Sequence, residues 1–196
     1  MKIGIIDYGA GNIKSVNYAM NRLECSTVVT NNVKELNKCD KIIFPGVGHA
    51  KPAMDLLLKN DLNYFIKETK KPLLGICLGM QLLCEFTEEG STNCLAIYDS
   101  KVLIFEKRLN VKVPHVGWNT ISANTHSLLF KEIRTSEYFY FVHIYYVPIH
   151  PNTEANCEYG LKFSAAMAKD NYFGVQFHPE KSGKPGMKLL ENFILL

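Results

Sequence analysis

The chain has 196 residues, 47% of them hydrophobic and 21% charged, with a net charge of +3. That length and apolar content suit one globular domain over residues 1–196 with a full core, and no apolar run approaches the roughly 18 residues needed to span a membrane. The positive charge is scattered rather than gathered in a basic block, so neither nucleic acid nor membrane is an expected partner.

The N-terminus, Met1-Lys2-Ile3-Gly4-Ile5-Ile6-Asp7, is too soon interrupted for a signal peptide. It reads as a first strand, which implies a cytoplasmic protein. Asp7-Tyr8-Gly9-Ala10-Gly11-Asn12 follows, and has the first two glycines of a dinucleotide fingerprint but Lys14 where the third belongs. A nicotinamide site is therefore rejected in favour of a tight strand-to-helix loop. Residues 13–23 form a helix with Val16, Met20 and Leu23 on one side.

Residues 26–30 and 41–44 read as strands, the second ending in Pro45-Gly46-Val47-Gly48-His49. Two glycines around Val47 let backbone N–H groups approach a ligand, or simply make a turn. A helix carrying Met54, Leu57, Leu58 and Leu62 leads back to an apolar strand at 73–76. This βαβ rhythm predicts a mostly parallel sheet flanked by helices, with its site beyond the carboxyl ends of the strands. The 45–49 loop and Cys77 both follow strands and should open onto one edge.

Gly75-Ile76-Cys77-Leu78-Gly79 has glycines two residues either side of a cysteine. That is the small-residue pattern of a nucleophile elbow, a strained strand-to-helix corner that lifts one side chain out. A thiol there faces unpaired N–H groups and the positive end of a helix dipole, and the N–H of Leu78 is placed to stabilise an oxyanion. Taken alone, Cys77 is equally readable as a buried structural cysteine. The other five, at 25, 39, 84, 94 and 157, form no Cys-x-x-Cys pair, which argues against a zinc site and against a disulfide framework.

Thr87-Glu88-Glu89-Gly90 reads as a polar helix exit with a glycine stop. Beyond it, residues 101–105, 110–114, 119–122, 138–146, 161–167 and 172–177 read as short strands, several of them antiparallel, with a turn near 127–131. A helix over 185–196 closes the chain, with Met187, Leu190, Phe193 and Ile194 inward. In Gly174-Val175-Gln176-Phe177-His178-Pro179-Glu180, an extended backbone puts His178 and Glu180 on the same face. An imidazole with a carboxylate beside it is the base and orienter that an activated cysteine needs.

Gly-Ile-Cys-Leu-Gly-Met-Gln with a distant Phe-His-Pro-Glu resembles the class I, triad-type glutamine amidotransferases. The 7–12 and 45–49 motifs, Pro114-His115-Val116-Gly117-Trp118-Asn119, Phe141-Val142-His143 with Tyr145-Tyr146, and residues 174–183 resemble one branch of that class. It is the glutaminase subunit of imidazole glycerol phosphate synthase, from histidine biosynthesis, and the likeness runs from Ile3 to the last helix. The resemblance implies a flavodoxin-like α/β fold. Cys77 then attacks the amide carbon of L-glutamine to give a γ-glutamyl thioester, His178 shuttles protons, and Glu180 orients His178. Leu78 and either Val47 or Gly48 supply oxyanion N–H groups. Gln81 and Glu89, with Gly48 and the stretch His143, Ile144 and Tyr145, hold the amino-acid end of the substrate. No metal and no organic cofactor is implied.

The resemblance also implies that ammonia passes to a separate (β/α)8-barrel cyclase in a heterodimer, which makes imidazole glycerol phosphate and an aminoimidazole carboxamide ribonucleotide. Asn12 and Trp118 match positions facing that partner, although Trp118 also fits a core. The chain departs from the family at Ile144, where serine is usual. Two alternatives stay open: a paralogous glutaminase serving another acceptor such as a sugar amidotransferase, and a non-catalytic binding module of the same fold.

Overall fold

In the computed structural model, which describes residues 1–9 and 11–196, parallel strands carry the first half of the chain. The opening elements are β1 (Lys2–Ile6), α1 (Ile13–Arg22), β2 (Ser26–Thr30), α2 (Val33–Leu36) and β3 (Lys41–Gly46). They are followed by α3 (Ala50–Lys59), α4 (Leu62–Glu68), β4 (Leu73–Cys77) and α5 (Leu78–Leu82). Ala10, within the first loop motif, lies outside the described residues. Val16, Ala19 and Met20 of α1 are buried, as the helical spacing predicts.

One helix was expected between β3 and β4, and two are found. Asp61 adopts φ 55°, which ends α3 and restarts the chain as α4, and Leu58 falls on the exposed side. Hydrophobic spacing continues across that break and conceals it.

The remaining elements are β5 (Phe86–Thr87), β6 (Thr92–Asn93), β7 (Lys101–Ile104), β8 (His115–Thr120), β9 (Ser122–Ala123) and β10 (Tyr138–His143). After them come β11 (Tyr145–Tyr146), β12 (Thr153–Glu158), β13 (Lys162–Lys169), β14 (Tyr172–Val175) and α6 (Gly183–Leu195). The main sheet has the order β2-β1-β3-β4-β14-β13-β12-β9. Pairing is parallel from β2 through β14 and antiparallel from there to β9. The expected parallel sheet with antiparallel additions in the C-terminal half is thus present. Two smaller sheets, β10-β8 and β11-β7-β5-β6, lie beside it.

Three expectations fail for identifiable reasons. Residues 110–114 form no strand: Asn110 has φ 51°, and Pro114 has no N–H to give to a ladder. Thr87 to Gly90 is not a helix exit, because α5 ends at Leu82; Gly90, φ 65°, turns the chain between β5 and β6. The expected strand over 138–146 is interrupted at Ile144, so that β10 and β11 join different sheets. Strand β12 had no counterpart in the sequence reading, since its inward residues, Ala155 and Cys157, are small amid Thr, Glu and Asn.

Two apolar clusters cover the two faces of the main sheet. One joins α1, α6 and β10 through Met20, Phe141, Phe177 and Phe193; the other joins α3, α4 and α5 through Leu57, Ile66 and Leu82. Burial on both faces explains the continuous apolar runs of β1 and β4. All six cysteines are free thiols. No helix among the described residues is long and apolar enough to cross a membrane.

Candidate active site

The site is built from the corner between β4 and α5. Cys77 has φ 55° and ψ −111°, a region that costs a non-glycine residue about 1–3 kcal/mol. Three glycines make the corner possible. A Cβ on Gly79 would run into the Phe44 carbonyl oxygen, and one on Gly46 would lie 2.5 Å from the Gly79 nitrogen. A Cβ on Gly75 would lie 2.8 Å from the Gly79 carbonyl carbon. Here β3, β4 and α5 meet backbone to backbone, and their packing holds Cys77 in its strained conformation.

Strand β14 runs beside β4 and brings the second half. Past its end comes His178, then a 3-10 turn over Pro179–Lys181 that carries Glu180. The turn, not strand alternation, places the two side chains together. His178 Nδ1 lies 2.8 Å from Glu180 Oε1. A carboxylate only accepts, so Nδ1 carries the proton and Nε2 is the nitrogen left for chemistry. Nε2 is buried and has no hydrogen-bond partner among the described residues. Burial disfavours the imidazolium, but the Cys77 sulfur and the Glu180 carboxylate outweigh it and raise the His178 pKa to about 10. Both neighbours thus favour the protonated ring, the state His178 reaches on taking a proton from the thiol.

His178 and Cys77 open into one pocket of about 310 Å³. Val47, Gly48 and Leu78 line it, as do Gln81, Glu89 and the stretch His143, Ile144, Tyr145. All ten pocket positions named from the sequence are therefore brought together. Leu78 opens α5, so its N–H precedes the helical ladder. Gly48 has φ 97° with open space beside it, and the adjacent Val47 is exposed at the pocket mouth.

The polar residues of the pocket are tightly committed. Gln81 Nε2 donates to the Tyr145 carbonyl at 3.0 Å and to Gln176 Oε1 at 2.8 Å, which leaves its own Oε1 for a ligand. Glu89 accepts from the Ala50 N–H at 2.8 Å and meets His49 Nδ1 at 3.1 Å, anchoring the start of α3. The Tyr145 carbonyl also accepts from His143 Nδ1 at 2.8 Å, and the Ile144 carbonyl from the Phe105 N–H at 3.1 Å. The Tyr145 carbonyl, with two donors already on it, is filled, while the Ile144 carbonyl keeps one lone pair.

Asn12 and Trp118 are not pocket residues. Asn12 donates to Glu180 Oε1 at 3.3 Å. Trp118 is 54% exposed, which excludes the core reading. Strands β8 and β10 turn Val116, Trp118, Tyr138 and Val142 outward, while His115, Phe139, Phe141 and His143 face in. The outer face is an apolar surface next to the pocket.

Four residues in or behind the pocket wall stood in the quoted motifs but were given no role from the sequence. Pro114 and Val142 line the pocket, and the Val142 carbonyl accepts from Cys77 Sγ at 3.8 Å. Gln176 donates to the same sulfur at 3.7 Å. His115 Nδ1 meets His143 Nε2 at 2.9 Å. Burial pushes His115 down to about 4, and burial likewise lowers His143 to about 3. Gln176 did leave a signal: it is a polar residue in an apolar strand end, two positions before His178.

Similarity to known proteins matches this geometry. The family model for glutamine amidotransferase class-I covers residues 4–196. An imidazole glycerol phosphate synthase subunit HisH from Bacteroides fragilis is 51% identical, with all of both chains aligned. Proteins of the same name from Bacteroides thetaiotaomicron and Vibrio parahaemolyticus are 48% and 44% identical, covering 99% and 100% of this chain and 99% and 98% of theirs. Among solved structures, a glutamine amidotransferase superposes with a TM-score of 0.74 at 16% identity over 97% of this chain and 98% of its own. PurLQS from Thermotoga maritima also gives 0.74, at 17% identity over 99% of this chain and 97% of its own. With an elbow cysteine, a histidine–glutamate pair and a shared pocket on this sheet, the chain belongs to the class-I glutamine amidotransferase family.

Proposed function

We propose that the chain, as one amidotransferase domain, is the glutaminase subunit of an imidazole glycerol phosphate synthase. Cys77 attacks the side-chain amide carbon of L-glutamine and His178 takes the thiol proton. The tetrahedral oxyanion is held by the Leu78 N–H and one N–H of the Val47–Gly48 loop. His178 then protonates the leaving ammonia and activates water, which hydrolyses the γ-glutamyl thioester to glutamate. Glu180 fixes the Nδ1–H tautomer and stabilises the imidazolium. Gln81 Oε1 and Glu89 suit the ammonium end of the amino acid, since both present acceptors. No metal or organic cofactor enters these steps.

The observation that carries the reading is the convergence of Cys77 with a His178 whose Nδ1 is held by Glu180 at 2.8 Å, in one pocket of about 310 Å³. Relatives at 44–51% identity over essentially the full chain support the synthase assignment. The outward apolar face of β8 and β10 supports docking of the (β/α)8-barrel cyclase that would receive the ammonia, in a cytoplasmic heterodimer.

The test is glutamate release from glutamine, with and without the barrel subunit and its nucleotide substrate. Release should rise on adding both and vanish in Cys77→Ala. Full partner-stimulated release by Cys77→Ala would overturn the mechanism, and no stimulation by the cyclase would overturn the assignment to this synthase.

A further inference from the structure

We infer that Gln176 is a further residue of the thiol site, a fixed N–H donor to the Cys77 sulfur, and that Gln81 is the positioning residue that sets its direction. Gln176 is fully buried, and its backbone is anchored by the N–H bond to the Ala165 carbonyl at 2.8 Å. Its Nε2 lies 3.7 Å from Cys77 Sγ, while its Oε1 accepts from Gln81 Nε2 at 2.8 Å.

A side-chain amide can be reversed, exchanging donor for acceptor, unless its surroundings forbid it. Here they do. The Tyr145 carbonyl can only accept, so the Gln81 atom 3.0 Å from it must be Nε2. The second N–H of that nitrogen then faces Gln176, which must answer with Oε1 and turn its own Nε2 to the sulfur. His143 Nδ1 reinforces the order by donating to the same Tyr145 carbonyl at 2.8 Å. The polarity of the chain is thus set at Tyr145 and delivered at Cys77.

The sulfur also faces the Val142 carbonyl at 3.8 Å, an acceptor that suits the thiol and opposes the thiolate. A donor on the opposite count does the reverse: it favours the charged form over the neutral one. Gln176 therefore keeps an N–H on the sulfur after the proton has gone to His178, in addition to the attraction of the imidazolium itself. This rests on the glutaminase reading only for the identity of the nucleophile.

The experiment follows alkylation of Cys77 by iodoacetamide against pH, resolved by peptide mass spectrometry, in the full chain without partner. In Gln176→Met the midpoint of the Cys77 profile should rise by about one pH unit, which slows labelling below it about tenfold. Gln81→Leu, which frees Gln176 to turn, should move it the same way by less. Cys84, fully buried, should stay unlabelled in a folded variant. An unmoved midpoint in a folded Gln176→Met overturns the inference. In the unsubstituted chain the side-chain amide nitrogen of Gln176 should shift in NMR spectra with the Cys77 midpoint, and a resonance that ignores it overturns the inference whatever the variants do. Failure of the glutaminase reading is distinguishable, because glutamate release would then be missing while these midpoints still moved.

Discussion

Asn12 holds Glu180: its side-chain amide donates to Oε1 of the carboxylate at 3.3 Å, and the same oxygen accepts from His178 Nδ1 at 2.8 Å. The first loop of the chain therefore reaches the carboxylate that holds His178 Nδ1. The sequence reading placed Asn12 with the partner and Glu180 with the chemistry, 168 positions apart. One hydrogen bond makes them neighbours. In Asn12→Ala, partner-stimulated kcat should fall about three- to tenfold, the scale of one ordinary lost hydrogen bond, because the 3.3 Å contact is long. KM for glutamine should change little, because Asn12 does not line the pocket. Steady-state glutamate release checks both parameters, and a KM effect without a kcat effect contradicts the placement.

Gly79→Ala tests the elbow. Its Cβ would collide with the Phe44 carbonyl oxygen, which belongs to buried β3 and cannot move freely. The substitution should cost on the order of 3 kcal/mol, as overpacking against backbone does. Urea unfolding midpoints against the parent chain measure it.

The buried histidines give stability an acid limb. A histidine with an ordinary pKa near 6.5 when unfolded, held at about 4 for His115 and about 3 for His143 when folded, takes up protons more readily in the unfolded chain. Stability therefore falls as pH drops from 6.5 towards those values. His115 stacks between Tyr159 at 3.9 Å and Phe141 at 4.8 Å, a slot that also suits a phenyl ring. His115→Phe should lose about 1–2 kcal/mol less than the parent between pH 7 and pH 5. Denaturant midpoints at the two pH values supply the comparison. His178 works in the opposite direction: its raised pKa contributes stability below 6.5 that disappears as pH climbs through about 10.

Trp118→Ala addresses the outer face of β8. An exposed aromatic at the centre of an interface typically carries about 2 kcal/mol or more of binding, so if this face docks the cyclase as proposed, affinity should weaken about thirtyfold. The isolated chain should unfold within about 0.5 kcal/mol of the parent, since the ring is 54% exposed. Calorimetric titration with the barrel subunit measures the first, and thermal unfolding the second.

Much of this arrangement was legible in the residues, for physical reasons. Strands buried on both faces, such as residues 73–77, announce themselves as unbroken apolar runs, and the glycines at 75 and 79 mark a corner with no room for side chains. What stayed hidden lacks local contrast. The break at Asp61 lies within continuous helical spacing, and the inward face of β12 is made of small residues. The Gln81–Gln176 pair and the His115–His143 pair join residues 95 and 28 positions apart through side-chain hydrogen bonds, which no periodicity records. Ile144 shows the same limit. The resemblance leads one to expect serine there and the residue is isoleucine, yet its carbonyl is bound by the Phe105 N–H and it lines the pocket.

The strand β10 is a partition with two tenants. Val142 turns its side chain outward with Trp118 and Val116, and its carbonyl inward to the Cys77 sulfur. Whatever presses on the outside of this ribbon presses on the acceptor beside the Cys77 sulfur, with no intervening layer of protein to absorb the displacement. Touch and chemistry share a single thickness of backbone, so a message between them has only one peptide unit to cross.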